Sequence, residues 1–332
     1  MRILGQVSPA RPLWACLVTA AGLAFGALAA ERIPKPGNIT APTEQWVAKV
    51  RQLAPAKATA APKAKRKVLV FSVATGYQHA CIPHVNEVLK VLGKKTGAFE
   101  ATFSTDIEMF SADKIKQFDA VILQNTCSNN PKRDLFLDIV SAQGVGLTKT
   151  LGEKYKDLTG AQQAARAAEL EKSLLDYVAG GGGLVGIHGA IVTFNTSDEF
   201  GHAMGAHFSY HPKSQELTLK PVDPDHPLLK AFAGEPFIHT DECYMMTGKD
   251  YAERNFRPML AIESKKVAGA RAGTDEIVYA SWIKKYGKGR VFYVSPSHFP
   301  DSYLSSVLLR YYLDGIQYAL GDLECDDSPV KK

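Results

Sequence analysis

Cysteine is scarce in this sequence, with five residues among 332, and none forms a CxxC pair or has zinc-knuckle spacing. This absence excludes the small domains that are held together by structural zinc or by a dense set of disulfides. Cys16 lies in an apolar N-terminal run. A chain of this length buries enough surface to fold without disulfides, so free thiols and a single disulfide remain equally open for Cys81, Cys127, Cys243 and Cys325.

The folded part of the chain also lacks an excess of positive charge. The formal net charge is +5, but residues 1–67 carry eleven Lys or Arg and two Asp or Glu, which leaves −4 for the remainder. The stretch "AKATAAPKAKRK", which ends at Lys67, is typical of a disordered tether or of an arm lying on an acidic surface. Because nucleic-acid binding requires Lys and Arg clustered on one folded face, we expect no nucleic-acid partner.

Residues 1–30 are typical of a signal peptide. Arg2 and Arg11 precede the apolar run "LWACLVTAAGLAFGALAA", which ends in small residues that fit cleavage before Ala30 or Glu31. The alternative is a retained membrane anchor, since the run is close to the minimum length for a span. The small residues and the Pro-rich sequence that follows favour cleavage. We therefore predict an exported protein, periplasmic or extracellular, with no membrane span after cleavage.

From Lys67 onwards, short apolar runs alternate with amphipathic helical patterns. "KVLVFSV", "FDAVILQN" and "GLVGIH" are typical of strands buried on both faces, and "HVNEVLKVLGKKTG" and "AQQAARAAELEKSLLDYVAGG" of helices. This alternation predicts a doubly wound, mostly parallel sheet with additional β-strands in the C-terminal half, from "ELTLKPV" to "GRVFYVS". We predict one domain over residues 66–322, between an arm and linker (31–65) and a short tail (323–332).

The stretch "GGGGLVGIHGA", residues 180–190, places a histidine at the end of a predicted strand with glycines on both sides. A sharp strand-to-helix turn of this kind can lift one side chain into the crevice beyond the strand ends. Here the side chain is the imidazole of His188, which suits metal binding or acid–base chemistry. The alternative is a packed histidine at a helix start that donates to a carbonyl.

Two further stretches place polar side chains beside apolar strands. In "FIHTDECYMM", Asp241 and Glu242 point to opposite faces if extended, so one would reach the crevice and the other would cap or pair. In "YGKGRVFYVSPSHFPD", the strand ends near His298, which repeats the arrangement at His188. His211 follows an aromatic loop and is an additional candidate ligand.

Several ordered motifs resemble the trehalose-utilisation (ThuA-like) family over nearly all of residues 67–320. They are "GYQHACIP", "GGGLVGIHGA", "GAHFSYHP", "DHPLL", "HTDECY" and "YGKGRVFYVSPSH". The resemblance implies a flavodoxin-like sheet of the class I glutamine-amidotransferase-like superfamily. In true amidotransferases the turn carries a cysteine nucleophile, whereas this sequence has His188 there. Two further departures are Gln78, where the family often has arginine, and "LQNTC", where some relatives carry an extra histidine.

The resemblance links the chain to sugar catabolism, often beside an oxidoreductase that makes keto-sugars. We expect an enzyme that acts on an oxidised (keto) sugar or glycoside. The expected cofactor is a divalent metal, with zinc as the first candidate, and no nucleotide cofactor is expected. The alternative is a non-catalytic carbohydrate-binding or accessory protein, in which aromatic side chains, Trp282 among them, would stack on sugar rings. The expected catalytic residues are His188, Asp241, Glu242 and His298; the metal ligands His79, His188, His211 and His298; and the substrate-binding residues Tyr77, Gln78, Phe208, Tyr210 and Tyr244.

Overall fold

The computed structural model describes residues 39–330. The predicted signal peptide, residues 1–30, lies outside this range. Within it, no helix combines the length and the apolar character that crossing a bilayer requires. The cysteines of the described part, Cys81, Cys127, Cys243 and Cys325, are all free thiols.

A nine-stranded sheet forms the centre of the fold, in the order β2-β1-β3-β4-β11-β10-β9-β6-β7. The first five strands in this order pair in parallel, and the pairs from β11 to β7 are antiparallel. A separate two-stranded sheet pairs β5 with β8. The strands are β1 (Lys67–Phe71), β2 (Glu100–Ser104), β3 (Ala120–Gln124), β4 (Gly183–Ile187), β5 (His207–Tyr210), β6 (Gln215–Pro221), β7 (Phe237–Asp241), β8 (Met245–Thr247), β9 (Arg257–Glu263), β10 (Ile277–Tyr286) and β11 (Gly289–Val294).

The predicted doubly wound α/β architecture is confirmed. β3 and β4 are buried at every position, and β1 at every position after Lys67, as expected for central parallel strands with helices on both faces. The helices are α1 (Glu44–Leu53), α2 (Ile82–Thr96), α3 (Ala112–Ile115), α4 (Leu135–Val140), α5 (Thr148–Gly152), α6 (Gly160–Gly180), α7 (Asp198–Met204) and α8 (Ser306–Ala319).

Alternate residues of β1 supply the two halves of the core. Val68 and Val70 pack in the cluster that contains α2 and α8, whereas Leu69 and Phe71 pack in the cluster that contains α4 and α6. Side chains along a strand point to opposite faces, so the sheet separates two helical layers. The polar loops that follow the parallel strands therefore meet along one edge, between these layers.

The segment between α1 and β1 lies along α8. The Thr59 backbone N–H donates to Gln317 Oε1 at 2.8 Å, and the Lys63 backbone N–H donates to Asp322 Oδ1 at 3.0 Å. The Arg66 guanidinium forms an ion pair with Asp322 at 2.6 Å. The Ala/Pro/Lys stretch is therefore an arm that contacts acidic and amide side chains, which is the second of the two interpretations.

Candidate functional site

Three parallel strands and one antiparallel strand carry the site. His79 follows β1, His188 follows β4 and His298 follows β11, and the carboxyl ends of these parallel strands meet at one edge of the sheet. Glu242 follows β7, which lies at the far end of the sheet order. One ligand atom from each of these four residues lies within 4.8 Å of the others. The chain therefore brings three imidazoles and a carboxylate together from four distant segments.

The Glu242 carboxylate lies between two of the imidazoles. Its Oε2 is 3.5 Å from His188 Nε2 and 3.0 Å from His298 Nδ1. The His79 ring centroid is 4.7 Å from that of His188 and 5.1 Å from that of His298. His79, His188 and Glu242 are buried, and the His298 side chain is 13 % exposed, so the cluster reaches solvent chiefly through His298.

His188 occupies the strained turn that the glycines around it predict. Its φ is 50°, a left-handed value that is rare outside glycine, and a 3₁₀ helix, His188–Val192, begins there. The Nδ1 atom lies 2.6 Å from the Ser295 carbonyl oxygen. Because a carbonyl only accepts, Nδ1 carries the proton, and the lone pair of Nε2 points toward Glu242.

Within the cluster, two buried imidazole nitrogens are left without a hydrogen bond. Within residues 39–330, neither His188 Nε2 nor His298 Nδ1 has an aligned hydrogen-bond partner. An unsatisfied buried polar atom is costly, and such atoms are rare in folded proteins. Two of them facing one carboxylate fit a metal ion, because imidazole nitrogens and carboxylate oxygens are common zinc ligands.

The electrostatics of the cluster favour the metal-binding forms of His79 and Glu242. Burial, followed by the electrostatic interaction with the His188 and His298 rings, holds the pKa of His79 well below its usual value, so the His79 ring is neutral at pH 7. Burial alone would raise the pKa of Glu242, but contact with His188 and His298 outweighs it and holds that pKa well below its usual range. A neutral imidazole and an ionised carboxylate are the forms that bind metals.

His211, an expected metal ligand, and Asp241, an expected catalytic residue, both lie outside the group of four clustered residues. His211 is outside the group of four: its side chain is 38 % exposed, and Nδ1 lies 3.3 Å from Glu242 Oε1 and 2.9 Å from the Pro212 carbonyl oxygen. The fourth member of the group is Glu242 instead. The Asp241 carboxylate is turned to backbone N–H groups, so of the two adjacent acids only Glu242 reaches the imidazoles of the cluster.

Three of the expected substrate-binding aromatics lie around the cluster. Tyr244 is buried, with its ring centroid 4.2 Å from His188 and 4.8 Å from Phe208. Tyr77 is 37 % exposed and lies 4.6 Å from His79 and 6.0 Å from His298, roughly parallel to the latter ring. Tyr77 is thus the accessible aromatic surface beside the histidines.

The other expected contact residues lie against other groups. The ring of Tyr210 lies 3.8 Å from the Arg271 guanidinium, and its hydroxyl accepts a hydrogen bond from the Arg271 backbone N–H. Trp282 is fully buried and donates to the Met204 carbonyl, so its proposed stacking on a sugar is wrong. The amide of Gln78 lies against Gly146, between α4 and α5.

Cys127, which is not among the predicted site residues, lies directly behind the cluster. Its Sγ is 4.0 Å from His79 Nδ1 and 3.7 Å from the Gly189 carbonyl oxygen. Burial raises the pKa of this thiol to about 12, so it stays protonated at neutral pH. The available signal was its position just after β3, at the same edge as His79 and His188.

Close packing between Gly189 and Cys127 gives a testable prediction. In Gly189→Ala the new Cβ would lie 2.5 Å from Cys127 Sγ and 3.2 Å from His79 Cε1. We expect a loss of about 1–3 kcal/mol in the free energy of unfolding, measured in urea, because the core is overpacked. Adding Cys127→Ala to this variant removes the clashing sulfur and should restore part of the loss.

The matched control is Gly160→Ala at the start of α6, where no atom lies within 4 Å of the added Cβ. Alanine there should be neutral or stabilise the protein by up to about 1 kcal/mol, because glycine is the weaker helix former. If the double variant Gly189→Ala/Cys127→Ala loses as much unfolding free energy as the two single variants together, the sulfur contact is not the cause.

Comparison with known proteins gives a family and a fold. A sequence family described as "ThuA: Trehalose utilisation" matches residues 67–319. A crystal structure of a protein described as ThuA-like, from Bacteroides uniformis ATCC 8492, aligns with TM-score 0.56 and 15 % identity over 78 % of this chain and 93 % of that one. A ThuA-like protein from Parabacteroides merdae ATCC 43184 aligns with TM-score 0.51 and 17 % identity over 81 % and 93 %. None of the curated proteins matches the sequence.

Proposed function

Because the chain belongs to the ThuA family of trehalose utilisation, we propose that it is an exported enzyme of carbohydrate catabolism that acts on a keto-sugar or glycoside. The convergence of His79, His188, His298 and Glu242 carries this proposal. Two buried imidazole nitrogens of this group have no other partner in the described part of the chain, which is a costly arrangement unless a metal or a substrate uses them.

The four clustered residues would hold a divalent metal, with zinc as the expected ion. Such an ion supplies Lewis acidity that polarises a carbonyl or hydroxyl oxygen of a bound sugar. The Ser295 carbonyl keeps the proton of His188 on Nδ1, so that Nε2 faces inward. Glu242 places one carboxylate oxygen toward the imidazoles, and its other oxygen faces His211 at 3.3 Å. Tyr77 offers an exposed ring on which a sugar face can stack.

Glutamine hydrolysis through a thiolate is not part of this proposal. An imidazole stands at the turn where that chemistry needs a sulfur nucleophile. The nearby Cys127 thiol is buried and has a pKa of about 12, so it cannot substitute as a thiolate at neutral pH.

Export and the source of the substrate belong to the same proposal. Export rests on the sequence of residues 1–30, and N-terminal sequencing of the protein recovered outside the cytoplasm tests it, with Ala30 or Glu31 as the expected first residue. A keto-sugar must be supplied by a reaction that oxidises a sugar hydroxyl, so a sugar oxidoreductase is the expected metabolic partner.

Metal content and turnover test the proposal together. The gently purified protein should contain about one divalent ion per chain and should convert a 3-keto-glycoside. A chelator should abolish this turnover, and added zinc should restore it. Tight sugar binding with neither metal nor turnover would instead support the non-catalytic accessory protein.

A further inference from the structure

Asp241 is buried next to the site but turned away from the imidazoles. It is 1 % exposed, and its Oδ1 accepts the Glu242 backbone N–H at 2.7 Å. Its Oδ2 accepts the Ser297 backbone N–H at 2.9 Å. The His298 N–H lies 3.2 Å and 3.3 Å from the two oxygens. One carboxylate thus binds the backbone of two residues of the candidate metal group.

The remaining contacts of Asp241 are with the side chains of Ser302 and His239. Ser302 Oγ donates to Oδ2 at 3.2 Å, and His239 Nε2 lies 3.2 Å from the same oxygen. His239 Nε2 also lies 2.9 Å from Ser302 Oγ. With both oxygens engaged in this way, the carboxylate has no free position from which to take a proton from a substrate.

The sheet does not fix the distance between Glu242 and His298. Glu242 follows β7 and His298 follows β11, and β10, β9 and β6 lie between these two strands in the sheet. The loops after β7 and β11 are instead joined by the Asp241 carboxylate. Hydrogen bonds from N–H groups to an ionised carboxylate are stronger than neutral ones, so this is an effective link.

We propose that Asp241 is a positioning residue that holds Glu242 and His298 at the spacing a metal ion requires. The inference rests on the proposed function, since it assigns Asp241 a role toward that metal. It replaces the expectation that Asp241 transfers a proton. Partners that orient metal ligands typically change metal affinity about 10- to 100-fold when they are removed.

The test compares Asp241→Asn and Asp241→Ala with the wild-type chain, using Co²⁺ alone as the probe. Asn keeps the size of the side chain and one oxygen acceptor, whereas Ala removes every contact. We expect Co²⁺ affinity to fall about 10- to 100-fold in Asp241→Asn and further in Asp241→Ala, with an altered Co²⁺ absorption spectrum. The matched control Ser302→Ala removes one contact to Asp241 and leaves the backbone contacts, so its affinity should stay within about threefold of wild type.

Melting of the metal-free proteins separates positioning from general stability. Asp241→Asn should melt close to wild type without metal and still bind Co²⁺ weakly. If Asp241→Asn binds Co²⁺ with the affinity and spectrum of the wild-type chain, the inference is wrong. It is also wrong if the affinity falls while the spectrum stays unchanged and the metal-free protein loses an equal amount of stability. If Asp241→Ala does not fold, Asp241→Asn decides. A wild-type chain that binds no Co²⁺ would overturn the metal site itself, and the inference with it.

Discussion

Replacing His188 by glycine is expected to reduce turnover of a 3-keto-glycoside by about 10²–10⁴-fold while the protein remains folded. The change removes the imidazole whose Nε2 faces Glu242. It also places a residue without a Cβ at φ 50°, a conformation that glycine adopts without strain. The measurements are kcat/KM on the keto-glycoside and unfolding in urea.

His188→Ala tests the same role with a different effect on stability. Activity should fall as far as in the glycine variant, but alanine at a left-handed φ costs about 1–2 kcal/mol that glycine avoids. His202→Ala is the matched control, because its side chain is 58 % exposed and pairs with Asp250, outside the cluster. Turnover should be unchanged in this control. Unchanged turnover in His188→Gly would remove the proposed role.

The central strands and the histidine turn are predictable from local sequence. Strands buried on both faces read as unbroken apolar runs, which is why "AVILQ" in β3 and "GLVGI" in β4 stand out. Parallel strands bring their carboxyl ends to one edge. Histidines placed just after such runs, His188 and His298, are therefore expected to lie near one another, and their ring centroids are 5.5 Å apart.

Local sequence does not decide which of two adjacent acids faces the imidazoles. Asp241 and Glu242 point in opposite directions, but the sequence of β7 does not say which of the two faces the cluster. That choice depends on the loop after β11, whose Ser297 and His298 backbone N–H groups bind Asp241. That contact joins positions more than fifty residues apart, so it follows from the completed sheet rather than from either segment.

Two of the expected aromatic residues, Tyr210 and Trp282, pack away from the cluster for a similar reason. Phe208 and Tyr210 lie two residues apart on β5, and regular alternation would place them on one face. The pairing of β5 with β8 shifts register between them, and Tyr210 packs against Arg271 instead. Trp282 lies in β10, whose central part is buried, and its ring packs in the core at 4.4 Å from Tyr293.

Glu242→Gln is expected to abolish stabilisation of the protein by metal. Zinc at about 1,000 times its dissociation constant should stabilise the wild-type chain by about 4 kcal/mol, because it binds only the folded state. For a domain of this size that corresponds to a rise in Tm of roughly 8–16 °C. Glutamine keeps the shape of the side chain but removes the negative charge that faces His188 and His298. The rise in Tm on adding zinc should therefore disappear.

Glu216→Gln provides the control, because Glu216 is an exposed carboxylate on β6. This variant also loses one negative charge, so it accounts for any general effect of charge on zinc binding, and it should keep the full rise in Tm. The comparison uses the difference between zinc-loaded and chelator-treated samples of each variant, which cancels any change in metal-free stability. A rise in Glu242→Gln equal to that of the wild type would mean that zinc binds elsewhere. The close approach of Glu242 to the imidazoles would then be an ion pair without a metal.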